Sequence, residues 1–480
     1  MVQLQATQLL GKQRSNQIFE FKGIRFAEAP VGPLRWQPAV AHMPSKPHTD
    51  ATRFGPACPQ NNGTAEWYQS VAEKFGLSAE ESAKLIPDLS HVSEDCLFLN
   101  VWTQEIRDVK LPVMVWIHGG ANLSGHSFEP NYSGHVLAER GVVVVSLQYR
   151  LGTLGFLPLP FKGAVGSSGT NGMSDLITGL GWVQENIRAF GGDPDNVTVF
   201  GESSGGGNIA ALLRSAKSEG LFHKAIIQSG AIGPQPVETI ENATKAAETA
   251  FRHARVSSVF QARQLPWQSL INIRPENYYH APLADDIYVR TEPRHNAGVP
   301  VLIGSNLNEW LMYYSSAAQA LEDALDAYTK RDAARAFVEK RFETALEQAD
   351  YLDAKADFFC PGLTIARQAN QAGGQAYVYE FSRKRPGSEQ LKAYHGAEIP
   401  YVFGTHDAWL PTTEEDRNLT EVMMSYWVNF ARTGNPNGLG LPDWQPYHKQ
   451  APYIQELADL IDELPAEGSA ICAFLDKETE

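Results

Sequence analysis

Two apolar runs limit what this chain can fold into more than any other feature. They are Val113–Ile117 in LPVMVWIHGG and Val142–Val145 in GVVVVSLQYR. A strand with one wet face alternates apolar and polar residues. Runs without alternation belong to strands covered on both faces, as in a mostly parallel sheet with helices packed above and below. The runs predict strands over about Pro112–His118 and Val142–Tyr149, the first ended by Gly119 and Gly120. Both fall far short of the roughly 20 apolar residues that cross a bilayer. No membrane-embedded segment is therefore expected.

The segment Ser174–Phe190 has a helical period instead. Leu176, Leu180, Val183, Ile187 and Phe190 recur at steps of three or four residues and share one face. Gly191 and Gly192 follow, as glycines commonly do at a helix end. Asn196–Phe200, Lys224–Gly230 and Val299–Ser305 read as further strands, and SGGGNIAALLRSA, after the first of them, as a helix. From about Glu238 to Asp350 the pattern changes. Apart from the strand at Val299 this stretch is polar and helical, with LEDALDAYTKRDAARAFVEKRFETALEQA reading as amphipathic helix. Another helix is expected over Thr420–Thr433. Strand–helix alternation followed by helical insertions gives an α/β fold class, a mostly parallel twisted sheet flanked by helices. No linker separates an independent unit, so residues 1–480 are expected to form a single domain, with cap-like insertions within about 238–350.

Charge narrows the partners. The formal net charge is −15, and no Lys/Arg block offsets it. That disfavours nucleic acid and anionic lipid. The N-terminal residues lack a basic segment followed by an apolar one, so no signal peptide is visible. The compartment stays open between the cytoplasm and a mature extracytoplasmic form. Four cysteines are too few for a disulfide scaffold.

One motif carries chemistry. Gly201-Glu202-Ser203-Ser204-Gly205 follows a predicted strand and opens a predicted helix. Alone, Gly-X-Ser-X-Gly is a weak signal. Between strand and helix it marks the sharp turn that lifts a serine above a sheet. A serine hydroxyl is a poor nucleophile at neutral pH. It needs a base to take its proton, an acid to orient that base and donors for the oxyanion that forms. His118-Gly119-Gly120-Ala121 follows a strand, where the oxyanion loop of such a fold belongs, and the Ser204 N–H is a further donor. His118 itself reads as a structural residue that holds the loop. This chemistry calls for no cofactor and no metal.

With those residues in view, the chain resembles the type-B carboxylesterases, the family of bacterial para-nitrobenzyl esterases and cholinesterases. The resemblance rests on FKGIRFAEAPVGPLRW (21–36), SEDCLFLNVW (93–102), WVQENIRAFGGDPDNVTVFGESSGG (182–206), QSG (228–230) and HGAEIPYVFG (395–404). It implies an α/β-hydrolase fold with a gorge leading to the serine, and hydrolysis of carboxylic esters through an acyl-enzyme. It implies Gly120 and Ala121 as oxyanion donors beside Ser204, with Gly119 in support. Two departures stand out. Ala121 replaces the family's third loop glycine, and its methyl narrows the acyl side. Ser204 stands where the family usually has alanine, and what its hydroxyl bonds is open.

In this fold the chain order is nucleophile, acid, then histidine. Among thirteen histidines, His395 matches the family's catalytic position, whereas His406 lies outside the motif. Glu309, just past the strand at Val299, matches the family's acid. Asp285 and Asp286 are alternatives that precede the strand. Trp310 follows the acid where the family usually has glycine. The resemblance also implies a supporting role for Ser229 and a Cys58–Cys96 disulfide, leaving Cys360 and Cys472 unpaired. Glu202 reads either as a support for His395 or as part of a buried ion pair. Trp67, Trp310, Tyr313 and Phe403, with Tyr132 and Tyr314, are candidate pocket liners, and aromatic walls favour aryl or apolar esters. The expected partners are a small ester and water, with the chain a monomer or small homo-oligomer. Two rivals remain. One is an amide, carbamate or polyester hydrolase using the same groups. The other is a non-catalytic binding module of the same fold, which typically lacks the nucleophile.

Overall fold

The computed structural model describes residues 1–85, 91–161, 168–230, 239–276, 278–292, 295–314, 316–387, 389–450, 452–464 and 467–475. Glu238, where the helical insertions were expected to begin, lies outside them. The chain divides into two compact units, the first built from residues 1–67, 86–225 and 235–296, the second from 68–85, 226–234 and 297–480.

The first unit is organised by the two apolar runs. Leu111–Ile117 and Val143–Leu147 are strands, and from Val113 to Ile117 and throughout Val143–Leu147 every residue is buried. They pair in parallel, Val113 with Val143 through Ile117 with Leu147. The strand Gly192–Glu202 pairs in parallel with Leu111–Ile117 from the other side. Towards the outer edge the pairing turns antiparallel, first Phe98–Thr103 against Val143–Leu147 and then Phe19–Arg25 against Phe98–Thr103. Burial on both faces explains why these runs lack alternation.

The helix Asn171–Asn186 buries Leu176, Leu180 and Val183, and tightens to a 3-10 turn over Ile187–Phe190. Gly191 ends it at φ 80°, a left-handed conformation that glycine adopts without a Cβ penalty. Asp175 on this helix is fully buried against Arg150, which bonds it through its backbone N–H, Nε and a terminal nitrogen. Burial pushes the Asp175 carboxyl up, while Arg150 opposes that shift. Cys58 and Cys96 form a disulfide.

The second unit carries the parallel strands Val301–Asn306, Ala376–Phe381 and Gln455–Leu457, with Asp462–Glu463 antiparallel at the edge. The long amphipathic stretch is three helices, Ala317–Leu325, Arg331–Glu339 and Ala345–Ala354. The last continues through a turn of π-helix, Lys355–Phe359, into the helix Cys360–Gln371. The helix expected over Thr420–Thr433 starts earlier, at Glu414.

One sequence expectation is corrected here. Cys360 and Cys472 are joined in a disulfide, 112 residues apart. Cys472 lies in the short turn Ile471–Phe474. This turn is also held by Lys330, whose backbone N–H donates to the Phe474 carbonyl at 3.2 Å. No local spacing pattern announces such a distant pair. On the chain-entropy account, closing a loop of about 100 residues stabilises by several kcal/mol, and removal of a native bridge commonly costs about 2–5 kcal/mol. A Cys360→Ala/Cys472→Ala variant is expected to melt at a lower temperature than the unaltered chain by scanning calorimetry in non-reducing buffer. Equal midpoints would show that the bridge contributes nothing.

Candidate active site

Ser203 lies in the first of the two units, and Glu309 and His395 lie in the second. In the first, the strand Gly192–Glu202 runs into Ser203, and the helix Ser204–Leu212 starts at once. Ser203 has φ 55° and ψ −130°. A non-glycine residue there is strained, and such strain concentrates at functional sites. The flanking glycines have a steric reason. A Cβ on Gly201 would lie 2.5 Å from the Ile117 carbonyl oxygen, and one on Gly205 would lie 2.1 Å from that same atom. The turn is pressed against the end of the neighbouring strand, so no side chain fits at position 201 or 205. Ser203 remains partly accessible while Glu202 and Ser204 are buried.

The loop His118–Asn122 lies beside this turn. A Cβ on Gly119 would meet a Glu202 carboxylate oxygen at 2.8 Å and the Ser203 Cβ at 3.0 Å, so Gly119 is small because the Glu202–Ser203 turn passes there. Gly120 has φ 101°, and Ala121 and Asn122 have φ 56° and 54°. Three successive residues with positive φ turn the loop back sharply. The Ser204 hydroxyl, which sequence left without a partner, accepts the Asn122 N–H at 3.0 Å. It thereby ties the start of the helix to the loop. Asn122 is held further by Asn208, whose Nδ2 donates to its Oδ1 at 2.9 Å, and by its own Nδ2, which donates to the His280 carbonyl at 2.7 Å. Neither Asn122 nor Asn208 stood out in the sequence.

His118 is fully buried, stacked on Tyr149 at 4.4 Å, and its Nδ1 donates to the Gly119 carbonyl at 2.9 Å. Burial pushes its pKa down to about 4. It is a neutral ring that shapes the loop. Asp285, an alternative acid, accepts from Ser168, Thr170 and the backbone of residues 287–289, and so organises a loop in the first unit. Asp286 likewise binds Thr291. Trp67 is partly buried in the same unit.

In the second unit, Glu309 follows the strand Val301–Asn306 and is fully buried. Its Oε2 lies 2.6 Å from His395 Nδ1, and its Oε1 accepts the Asn306 N–H at 2.7 Å. With a carboxylate at Nδ1 the imidazole carries its proton there and leaves Nε2 unprotonated. Two aromatic rings lie nearly parallel to the imidazole. Trp310 is 6.3 Å away with planes 5° apart, and Phe358 is 5.4 Å away at 26°. Phe358 sits in the π-helical turn, which no sequence pattern marked, and such turns frequently occur at functional sites. Tyr313 is exposed, whereas Phe403 is fully buried in the short helix Ile399–Phe403.

A second buried carboxylate lies in this unit. Glu398 accepts from Asn306 Nδ2 at 2.7 Å and from Gln228 Nε2 at 3.0 Å, and burial raises its pKa. The Asn306 amide also donates to the Tyr394 carbonyl at 2.8 Å, next to His395. Ser229 is buried at φ 45°, with its N–H on the Gly304 carbonyl and its hydroxyl unpartnered among the described residues. His406 is occupied elsewhere, between Arg385 and Thr420. Among the described residues, no group of three or more His, Cys, Asp or Glu is arranged to hold a metal ion. No helix among them is long and apolar enough to cross a membrane.

A sequence profile of the carboxylesterase family matches residues 1–462. The chain belongs to the carboxylesterase family. It is similar to the para-nitrobenzyl esterase of Bacillus subtilis, 34% identical over 91% of this chain and 90% of the relative. It is equally similar, at 34%, to a medium-chain fatty acyl-CoA hydrolase of Anas platyrhynchos, over 91% of this chain and 84% of that one. Among solved structures, a thermophilic PNB esterase superposes with a TM-score of 0.83 at 30% identity, covering 98% of this chain and 99% of that one. A Geobacillus stearothermophilus carboxylesterase does so with 0.82 at 27%, over the same shares. The carboxylesterase fold here is the α/β-hydrolase, a large mostly parallel sheet flanked by helices. This carboxylesterase hydrolyses carboxylic esters, with an ester and water as its substrates.

Proposed function

We propose that Ser203 is the nucleophile of this ester hydrolase, His395 its general base and acid, and Glu309 the group that orients His395. The observation that carries this reading is the buried Glu309–His395 contact at 2.6 Å, which fixes one tautomer of the imidazole. In that tautomer Nε2 takes the Ser203 proton as the hydroxyl attacks the ester carbonyl. The oxyanion is received by the N–H groups of Gly120, Ala121 and Ser204. His395 then protonates the departing alcohol, and water repeats the sequence on the acyl-enzyme. Ser204 has a second duty in this reading. Its hydroxyl holds the Asn122 N–H, and so keeps the loop that carries the other two donors in register with its own.

On the substrate side, the Ala121 methyl narrows the space beside the oxyanion, and the Trp310 and Phe358 rings form an apolar wall beside His395. These features favour aryl esters with short to medium acyl chains. The test is a panel of para-nitrophenyl esters from acetate to laurate, run beside labelling with a fluorophosphonate probe. Stoichiometric labelling at Ser203, with kcat/KM highest at a short or medium acyl chain, is expected. Labelling at another residue would overturn the assignment of the nucleophile, and a maximum at laurate would overturn the acyl preference.

A further inference from the structure

Asp350 lies near the end of the helix Ala345–Ala354 and is fully buried. Its Oδ1 accepts the backbone N–H groups of Trp310 and Leu311, both at 2.8 Å. Its Oδ2 accepts Asn308 Nδ2 at 2.9 Å. The three donors come from the residues on either side of Glu309. Asn308 extends the chain of contacts. Its N–H donates to the Ala393 carbonyl at 3.1 Å, and its Oδ1 accepts the Ala393 N–H at 3.4 Å. Ala393 is two residues before His395. All of these groups belong to the second unit.

We propose that Asp350 is a positioning residue for ester hydrolysis, which clamps the turn carrying Glu309 and, through Asn308, sets that turn in register with the segment carrying His395. The proposal rests on the reading of Glu309 as the acid that orients His395. Elementary hydrogen bonding explains why a carboxylate stands there. Three donors converge on the side chain, and only a carboxylate offers two acceptor oxygens and no donor. Keeping it buried is costly, since desolvation pushes its pKa up to about 7 against the three bonds that lower it. An asparagine at 350 would keep one oxygen for the two backbone N–H groups and turn its NH2 towards Asn308. The Asn308 amide would then have to flip and bring its own NH2 against the Ala393 N–H. The turn would stay anchored and the Asn308 N–H would stay on the Ala393 carbonyl, but the side-chain bond to the Ala393 N–H that completes the link to the His395 segment would be lost.

The test compares Asp350→Asn, Glu309→Gln and the double variant on one para-nitrophenyl ester. Misplacement of a catalytic group by about 1 Å can cost about 10²-fold in rate. Asp350→Asn is expected to lower kcat by about 10- to 100-fold, with KM within about twofold of the unaltered enzyme. The double variant is expected to turn over no more slowly than Glu309→Gln, because nothing remains for Asp350 to aim. A residue that only stabilised the fold would lower both backgrounds by the same factor. Asn308→Ala provides a second route, since it removes the side-chain bonds to Asp350 and to the Ala393 N–H and leaves the two backbone contacts of Asp350 and the backbone bond to the Ala393 carbonyl. It is expected to give the same kcat-specific loss and the same non-additivity. Unchanged kcat in both Asp350→Asn and Asn308→Ala, or losses that multiply with Glu309→Gln, would overturn the proposal. Near-normal activity of Glu309→Gln alone would instead overturn the acid assignment on which it rests.

Discussion

Ser203→Ala is expected to reduce kcat on a para-nitrophenyl ester by about 10⁶-fold, the scale seen when a triad nucleophile is removed. The protein should remain folded, for a reason visible in the backbone. Ser203 is held at φ 55°, and Ala121 is already accommodated at φ 56° in the adjoining loop. Alanine therefore meets the same strain at 203 as serine does. The change removes one hydroxyl and leaves Gly201, Gly205 and their tight contacts with the Ile117 carbonyl unaltered. The thermal midpoint should match that of the unaltered chain within about 0.5 kcal/mol of stability. Residual turnover of about 10³-fold over water should persist, because the oxyanion donors stay in place. Loss of activity together with loss of the folded state would say nothing of the nucleophile, so the melt and the assay belong together. Wild-type turnover in a folded Ser203→Ala protein would remove Ser203 from the mechanism.

The features legible in sequence are those whose physical cause is local. Val113–Ile117 and Val142–Val145 are buried on both faces, and burial on both faces writes an unbroken apolar run. The serine turn is legible because strand, glycine, serine, glycine and helix must follow one another within a few residues. Further local signals lie at the helix starts. The helix expected from Thr420 begins at Glu414, where Thr413 accepts the Asp416 N–H and Asp416 reaches back to the Thr413 N–H. Such a reciprocal cap can be written with aspartate as well as with glutamate or glutamine. The stretch from Leu321 to Ala349 keeps helical periodicity throughout yet forms separate helices. Thr344 opens a new one by accepting the Glu347 N–H, and Lys330 is tied to the Phe474 carbonyl.

The parts that were not legible act across the chain. Cys360 and Cys472 are brought together by the fold, over a separation that leaves no spacing signature. Asp350 serves a turn about 40 residues upstream, and Phe358 reaches His395 from a π-helical turn whose extra residue shifts the helical face. Glu398 lies inside HGAEIPYVFG, but its role as an acceptor for Asn306 and Gln228 depends on two other segments. Ser204 is the instructive intermediate case. Sequence exposed the departure from alanine, and only the folded loop supplied the Asn122 N–H that its hydroxyl binds.

Glu309→Gln is expected to cost about 10⁴-fold in kcat, and the geometry explains why an isosteric change should do so much. The glutamine amide has two possible orientations, and the surroundings permit one. Asn306 directs its backbone N–H at the Oε1 position from 2.7 Å, so the amide oxygen must sit there. The NH2 group is then forced onto the position of Oε2, 2.6 Å from His395 Nδ1. Two donors cannot face each other, so Nδ1 must become the acceptor and the ring proton must move to Nε2. In that tautomer His395 cannot take the proton from Ser203. The ring also loses the anion that stabilises its charged form in the transition state. KM should change little, since Glu309 is fully buried and meets no substrate. Glu309→Asp should lose less than Glu309→Gln, because it keeps the charge and the acceptor while shortening the reach. Measuring kcat and KM for both variants against the unaltered enzyme checks the argument. If Glu309→Gln retained more activity than Glu309→Asp, tautomer control by this carboxylate would have to be abandoned.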